Sequence, residues 1–335
     1  MTPEKLAAGR SSLAHPSQPR HSRRKAVATN HERFYRCVML TVFRSYVQGG
    51  FDCGRLEWQG NFCLLSGTDH LPETRMRQHY GILKEHGILT ARDGLPWWLP
   101  IEPRLRVARE AGMEVIWDLN HYWRHPDPIG YAARVAQAVT LVAPEQPFWC
   151  CFNELSFHPR MVPGESFAMV VEQARSMITF LRSQLPDVRV ITAEPAHRPA
   201  ELGSHALADL ADVIGINVYP HELRRDIARS LKDAAMRYRK SVMITETGLH
   251  KGHPRRWKGI NDKGQWVESV FDAVDRSGVH VVGICVYPIV NTPAWNSPLN
   301  RRWDNGLIRE DLSVDSSLAS AIRRRTGSLA AEIAA

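Results

Sequence analysis

The chain has 335 residues, 44% of them hydrophobic and 23% charged, a balance that excludes a disordered or fibrous protein. No apolar run reaches the roughly 18 residues that a membrane-spanning helix needs, so a membrane role is excluded at this level too. The net charge of +8 would suggest nucleic acid, but residues 1–36 hold eight Lys/Arg against two acids, +6 in all, and leave the body near neutral.

Residues 1–36 are rich in Ser, Pro, His and Arg without apolar periodicity, which predicts a disordered basic tail. The apolar patch at 37–43 is too short for a secretory h-region and runs straight into Arg44. From residue 46 short apolar runs alternate with amphipathic stretches, the pattern of a parallel α/β protein. In chain order the reading gives a strand over 45–51, a helix over 73–86, a second strand over 88–92 and a short helix over 102–111. A third strand covers 113–119, a fourth 147–152, a helix 165–185 and a fifth strand 188–193. A modest helical signal over 201–210 precedes a sixth strand at 213–218. A helix at 223–238, a seventh strand at 242–245, a helix at 262–277 and an eighth strand at 280–286 complete the series. Several strands are continuous apolar runs, as expected where both faces are covered. Eight strands with intervening helices predict a closed (β/α)8 TIM barrel, one domain over 40–326, with a C-terminal tail at 327–335.

The six cysteines, at 37, 53, 63, 150, 151 and 285, have neither metal spacing nor a disulfide framework. They predict buried free thiols in a reducing, cytoplasmic compartment. Cys150 and Cys151 are neighbours on one strand and therefore point to opposite faces.

Active sites of such barrels lie at the C-terminal ends of the strands. There the second strand ends in Arg92, the third leads into His121, and the fourth ends in Asn153-Glu154. The sixth ends in Asn217-Val218-Tyr219, the seventh in Glu246 and the eighth in Tyr287. No Lys ends a strand, against Schiff-base chemistry, and no His/carboxylate cluster has ligand spacing, against a metal hydrolase. Each residue alone has a blander reading: a strand-end Glu often serves a loop or an ion pair, and Asn suits turns. His121 by itself reads equally well as a structural histidine, and Trp97, Trp98, Tyr122, Trp123 and Trp295 as rim packing. Their convergence on one edge supports a shared site. Strands four and seven face each other, so Glu154 and Glu246 form a carboxyl pair of the kind that cleaves glycosides with retention at about 5–5.5 Å separation. Arg92 and Tyr219 are expected to hold Glu246 ionised, and Asn153 to bond a sugar 2-hydroxyl.

At this point the residues resemble the clan of barrel glycosidases with carboxylates on strands four and seven, and family 1 β-glycosidases most of all. Thr90-Ala91-Arg92 with Trp97, and Asp118-Leu119-Asn120-His121-Tyr122, are similar to its second- and third-strand motifs. Phe152-Asn153-Glu154 resembles the Asn-Glu-Pro acid/base motif, and 212–219 the sixth-strand Asp-Phe-Ile-Gly-Leu-Asn-Tyr-Tyr. Ile244-Thr245-Glu246-Thr247-Gly248 differs from the Ile-Thr-Glu-Asn-Gly nucleophile motif at one position. Tyr287 to Trp295 followed by Asn305-Gly306-Leu307 has the spacing of the eighth-strand ending. The resemblance spans about residues 48–309. It implies retaining hydrolysis or transglycosylation of a β-linked sugar without a cofactor, with Glu154 as acid/base and Glu246 as nucleophile. It places Arg92, His121, Asn153, Asn217, Tyr219, Tyr287 and Trp295 around the carbohydrate.

The departures are specific. Leu155 replaces Pro after the acid/base Glu, Tyr287 stands where the family has Trp, and Ala294 where it has a sugar-gripping Glu. The region of its first-strand Gln reads Gly50-Phe51-Asp52-Cys53. The bond-cleaving parts are retained while the glucose-recognising parts differ. A non-catalytic glycan-binding barrel of a polysaccharide-assembly system therefore remains as the alternative, and an unrelated aldolase or isomerase as a third.

Overall fold

The computed structural model describes residues 42–334 apart from 59–60, 65–69, 146–147, 197–202, 221–225, 250–259, 261 and 295–300. Eight strand segments build the barrel: β1 (Val47–Gly50), β2 (Thr90–Gly94), β3 (Glu114–Asp118), β4 (Phe148–Cys150), β5, β6 (Val213–Val218), β7 (Ser241–Thr247) and β8 (Val281–Val286). β5 consists of two pieces, Arg189–Val190 and Glu194–Pro195. All neighbouring strands pair in parallel, and β1 pairs with β8 as well as β2. β5 closes the ring. Its first piece pairs with β4 and its second with β6. Between them Ile191 donates to the Trp149 carbonyl at 2.9 Å and Thr192 to that of Val213 at 3.1 Å. The break in β5 is tied to Gly215 on β6, where a Cβ would lie 1.8 Å from the Thr192 carbonyl oxygen. Only glycine lets the two backbones approach this closely.

Besides a single turn at His158–Met161, the helices among the described residues are α1 (Glu73–Glu85), α2 (Ile101–Glu110), α3 (Pro128–Val142), α4 (Phe167–Gln184), α5 (Gly203–Leu207), α6 (Ile227–Tyr238), α7 (Lys263–Ser277) and α8 (Ser316–Ala334). Starts are set by side-chain caps: Asp127 accepts from the Gly130 N–H, Ser166 from Met169 and Asp262 from Gln265. Each such cap stabilises by about 1 kcal/mol. Neither α3 nor α8 was among the helices expected from the sequence; α8 runs to Ala334, so 327–334 are helical where a C-terminal tail was expected. A two-stranded hairpin, Arg55–Trp58 with Asn61–Leu64, follows β1.

Alternation along the strands builds two cores. Phe43, Ile116, Phe148, Cys150, Val213, Met243 and Val282 fill the barrel interior. Val115, Trp117, Trp149, Cys151 and Ile244 face the helices in the larger cluster. Cys150 and Cys151 do take opposite faces, and Cys53, Cys150, Cys151 and Cys285 are buried and unpaired. The apolar interior layer lies beneath the polar strand ends, where the candidate site stands.

Candidate active site

Arg92 and Asp93 are adjacent on β2 and point opposite ways, as the pleat requires. Asp93 faces the helix layer, taking the Tyr80 hydroxyl at 2.7 Å, Arg104 at 2.8 Å and a contact with His70 at 2.9 Å. Arg92 faces the barrel mouth. Its Nη1 donates to Glu246 Oε1 at 2.7 Å and to the Thr245 carbonyl at 3.2 Å. Its Nη2 reaches Asn153 Oδ1 at 2.8 Å and Asp118 Oδ2 at 2.9 Å, and its Nε reaches Asp118 Oδ1 at 3.1 Å. Five N–H groups meet five protein acceptors, so the guanidinium is a fixed hub under the mouth.

Glu246 enters the mouth through an irregularity in β7. Met243 and Thr245 point into the barrel, so strict alternation would send Glu246 outward. The register between β7 and β6 slips between Ile244 and Glu246. The slip, a bulge, lets two consecutive side chains face inward. Thr245 Oγ1 donates to Asn217 Oδ1 at 2.8 Å, while Glu246 takes Arg92 on one oxygen and the Tyr219 hydroxyl on the other at 2.8 Å. Alternation resumes at Thr247, whose hydroxyl accepts from the Trp266 indole of α7 at 3.0 Å.

Glu154 sits beyond the end of β4 in left-handed backbone, φ +42°, a conformation that costs a non-glycine residue roughly 1–3 kcal/mol unless its surroundings enforce it. Its carboxylate accepts from the Asn217 amide at 2.8 Å and from the Tyr122 hydroxyl. Tyr122 is itself left-handed, φ +64°. Asn153 gives its carbonyl oxygen to Arg92 and turns its amide NH2 to His121 Nε2 at 3.0 Å. His121 therefore accepts at Nε2 and carries its proton on Nδ1, 3.2 Å from Asp118 Oδ2; the network assigns this tautomer. Tyr287 stacks on His121 at 5.9 Å between ring centroids.

Burial pushes the Glu246 carboxyl up to about 7, against the pull of Arg92 and with the negative charge of Glu154 adding to the rise. Burial likewise pushes Glu194, at the end of β5, up to about 8, against its contacts with Ser156. The sign of the stability effect follows: stability is fullest while Glu194 is protonated and is lost as pH rises from its ordinary value of 4.5 through about 8. Glu194→Gln should thus gain melting temperature relative to the parent as pH rises across that window, by several degrees, with little gain at pH 5. Parallel melting curves at all pH values would contradict this.

The structure thus gathers Arg92, His121, Asn153, Glu154, Asn217, Tyr219, Glu246 and Tyr287 in one hydrogen-bonded cluster, while Trp295 lies outside the described residues. It adds Tyr122, Asp118 and Thr245, which the sequence had offered only as rim or flanking residues, and beside them Glu194, whose carboxyl accepts from the Ser156 N–H. Their signal was adjacency to strand-end motifs and nothing more. Cys53, Asp118 and His121 also bring three potential metal ligand atoms within 4.8 Å of one another. The fit to a cation is poor. Arg92 already places its charge on Asp118, and burial beside Asp118 and Asp52 pushes the Cys53 thiol well up, away from the thiolate a metal takes.

No family model matches the chain, and no curated protein does. Solved structures do match. The family 1 β-glucosidase from Thermotoga maritima aligns over 83% of this chain and 96% of its own, at 14% identity and TM-score 0.59. The likeness is one of fold, a (β/α)8 barrel. The β-D-glucuronidase of Dictyoglomus thermophilum aligns over 84% of this chain and 50% of its own, at 15% identity and TM-score 0.56. A GH2 β-galacturonidase from Eisenbergiella tayi, bound to galacturonate, gives 14% identity and TM-score 0.55 over the same shares. Among the described residues no helix is long and apolar enough to cross a membrane.

Proposed function

We propose that the protein is a retaining β-glycosidase, hydrolase or transglycosidase, with Glu246 as nucleophile and Glu154 as acid/base. The observation that carries this reading is the unequal treatment of two buried carboxyls at one mouth. Glu246 is gripped by a guanidinium and a phenol, Glu154 by an amide and a phenol. The cation marks Glu246 as the member that stays anionic and attacks. Glu154, whose direct donors are neutral, is the member that carries the proton to the departing oxygen. Asn217 bonds Glu154 on one side and Thr245, the residue before Glu246, on the other, and the negative charge of Glu154 is felt at Glu246.

The sequence of steps then follows. Glu154 protonates the glycosidic oxygen while Glu246 attacks the anomeric carbon, giving a glycosyl-enzyme ester. Glu154, now a base, takes a proton from water or an acceptor hydroxyl that displaces Glu246. Asn153, held by Arg92 and by His121, lines the same mouth and has a second amide N–H for a sugar hydroxyl, while His121, engaged at both ring nitrogens, orients it. Arg92 acts through Glu246 and Asn153, its own donors being engaged. That engagement favours a neutral sugar over a uronic acid, whose carboxylate would face Glu154, Glu246 and Asp118.

Burying two carboxyls is costly, and a barrel that only binds glycans gains nothing from it. Among the described residues Cys53, Cys150, Cys151 and Cys285 are buried and unpaired, which supports the expected reducing, cytoplasmic compartment. The test is the anomer first released from an aryl β-glycoside, followed by NMR across a panel of sugars. A β product is expected, from two successive displacements served by carboxyls about 5–5.5 Å apart. An α product would require inversion and sink the proposal.

A further inference from the structure

Glu154 can serve as acid/base only if its carboxyl is aimed into the mouth, and that aim depends on its left-handed backbone, φ +42°. The turn is held on one side by β5. The Glu154 N–H donates to the Ala193 carbonyl at 2.7 Å, and the Ser156 N–H donates to Glu194 Oε1 at 3.1 Å. The Leu155 N–H acts on the same carboxyl. That N–H exists because Leu155 occupies the position, a proline having none to offer. Glu194 itself is 1% exposed, and its Oε2 has no hydrogen-bond partner among the described residues. No described cation pairs with it. A carboxyl buried this way, beside the negative charge of Glu154, is a standing cost to the fold that packing alone does not explain.

We propose that Glu194 is a positioning residue of the reaction: its carboxyl clamps the backbone after Glu154 and so keeps the left-handed turn that delivers the acid/base to the glycosidic oxygen. The inference rests on the reading of Glu154 given above. Glu194 touches no reacting atom. It acts through the turn, and the Tyr122 and Asn217 contacts of Glu154 are the geometry it preserves.

Glu194→Gln, whose amide oxygen still accepts the Ser156 N–H, should retain kcat within a few-fold. Glu194→Leu, with no acceptor, should lose about ten- to a hundredfold in kcat on alkyl or other poor leaving groups, the penalty of a misplaced catalytic group. With dinitrophenyl glycosides the burst of glycosyl-enzyme formation should be nearly unchanged, and KM should move little. A crystal structure of Glu194→Leu should show Glu154 out of the positive-φ region and parted from Tyr122 or Asn217. Should the Leu variant not fold, Glu194→Asp, one methylene shorter, should show the same split between leaving groups at smaller amplitude. Equal losses on good and poor leaving groups, or an unmoved Glu154 turn, would overturn the proposal. If the parent enzyme cleaves no glycoside, the acid/base reading has failed, and the crystallographic comparison alone still decides whether Glu194 holds the turn.

Discussion

Glu246→Gly is expected to lose cleavage of aryl β-glycosides by on the order of a thousandfold or more, and to regain part of it in azide or formate. The carboxyl removed is the one that Arg92 and Tyr219 bond at the mouth. Without it no ester can form, and a small anion occupying the space of the lost carboxylate attacks from the same face. The product of that single displacement carries the α configuration, opposite to that of the parent enzyme. Because burial pushes Glu246 up to about 7, the parent should also lose activity as pH falls through that region, since attack needs the ionised form. A Glu246→Gly variant that keeps more than about a tenth of parental turnover would falsify the assignment.

Glu154→Ala should produce a different pattern, dependent on the leaving group. Natural glycosides and alkyl aglycones need a proton on the departing oxygen, so their cleavage should fall by about 100- to 10,000-fold. Dinitrophenyl-type groups leave without help, and the glycosyl-enzyme should form at close to the parental rate. Its hydrolysis needs Glu154 again as base, so a burst followed by slow turnover is expected, with azide giving a β-glycosyl azide. The alkaline limb of the pH–rate profile should vanish with the acid. Equal impairment on good and poor leaving groups, with no response to azide, would remove Glu154 from the role and direct attention to Glu194 and Asp118.

The order of the elements was legible because burial writes a strong periodicity. Apolar runs mark strands covered on both faces, and the amphipathic stretches between them mark helices. The eight expected strand positions correspond to β1–β8 within a few residues at each end. β5 was legible as a strand but not as a broken one, since the close approach of Gly215 to Thr192 is a contact between segments distant in the chain. The continuation of α8 to Ala334 was missed for a related reason: its weakly apolar sequence does not by itself separate a final helix from a tail.

At the site the sequence by itself determined which side chains stand at strand ends, because a parallel barrel puts every such end on one rim. Arg92, Asn153-Glu154, Asn217…Tyr219 and Glu246 were readable on that ground alone. Which way those side chains point was decided only by the tertiary structure. A period of two would turn Glu246 away from Thr245's side of the sheet, and the slip of β7 against β6 reverses that. Glu154 follows Asn153 inward through a φ of +42°, a conformation disfavoured locally for any residue but glycine. It persists through contacts with Ala193, Tyr122 and Asn217, all far away or out of register in sequence. Local propensity describes a residue with its chain neighbours, whereas a bulge and a left-handed glutamate are stabilised by partners that the closing of the barrel brings beside them.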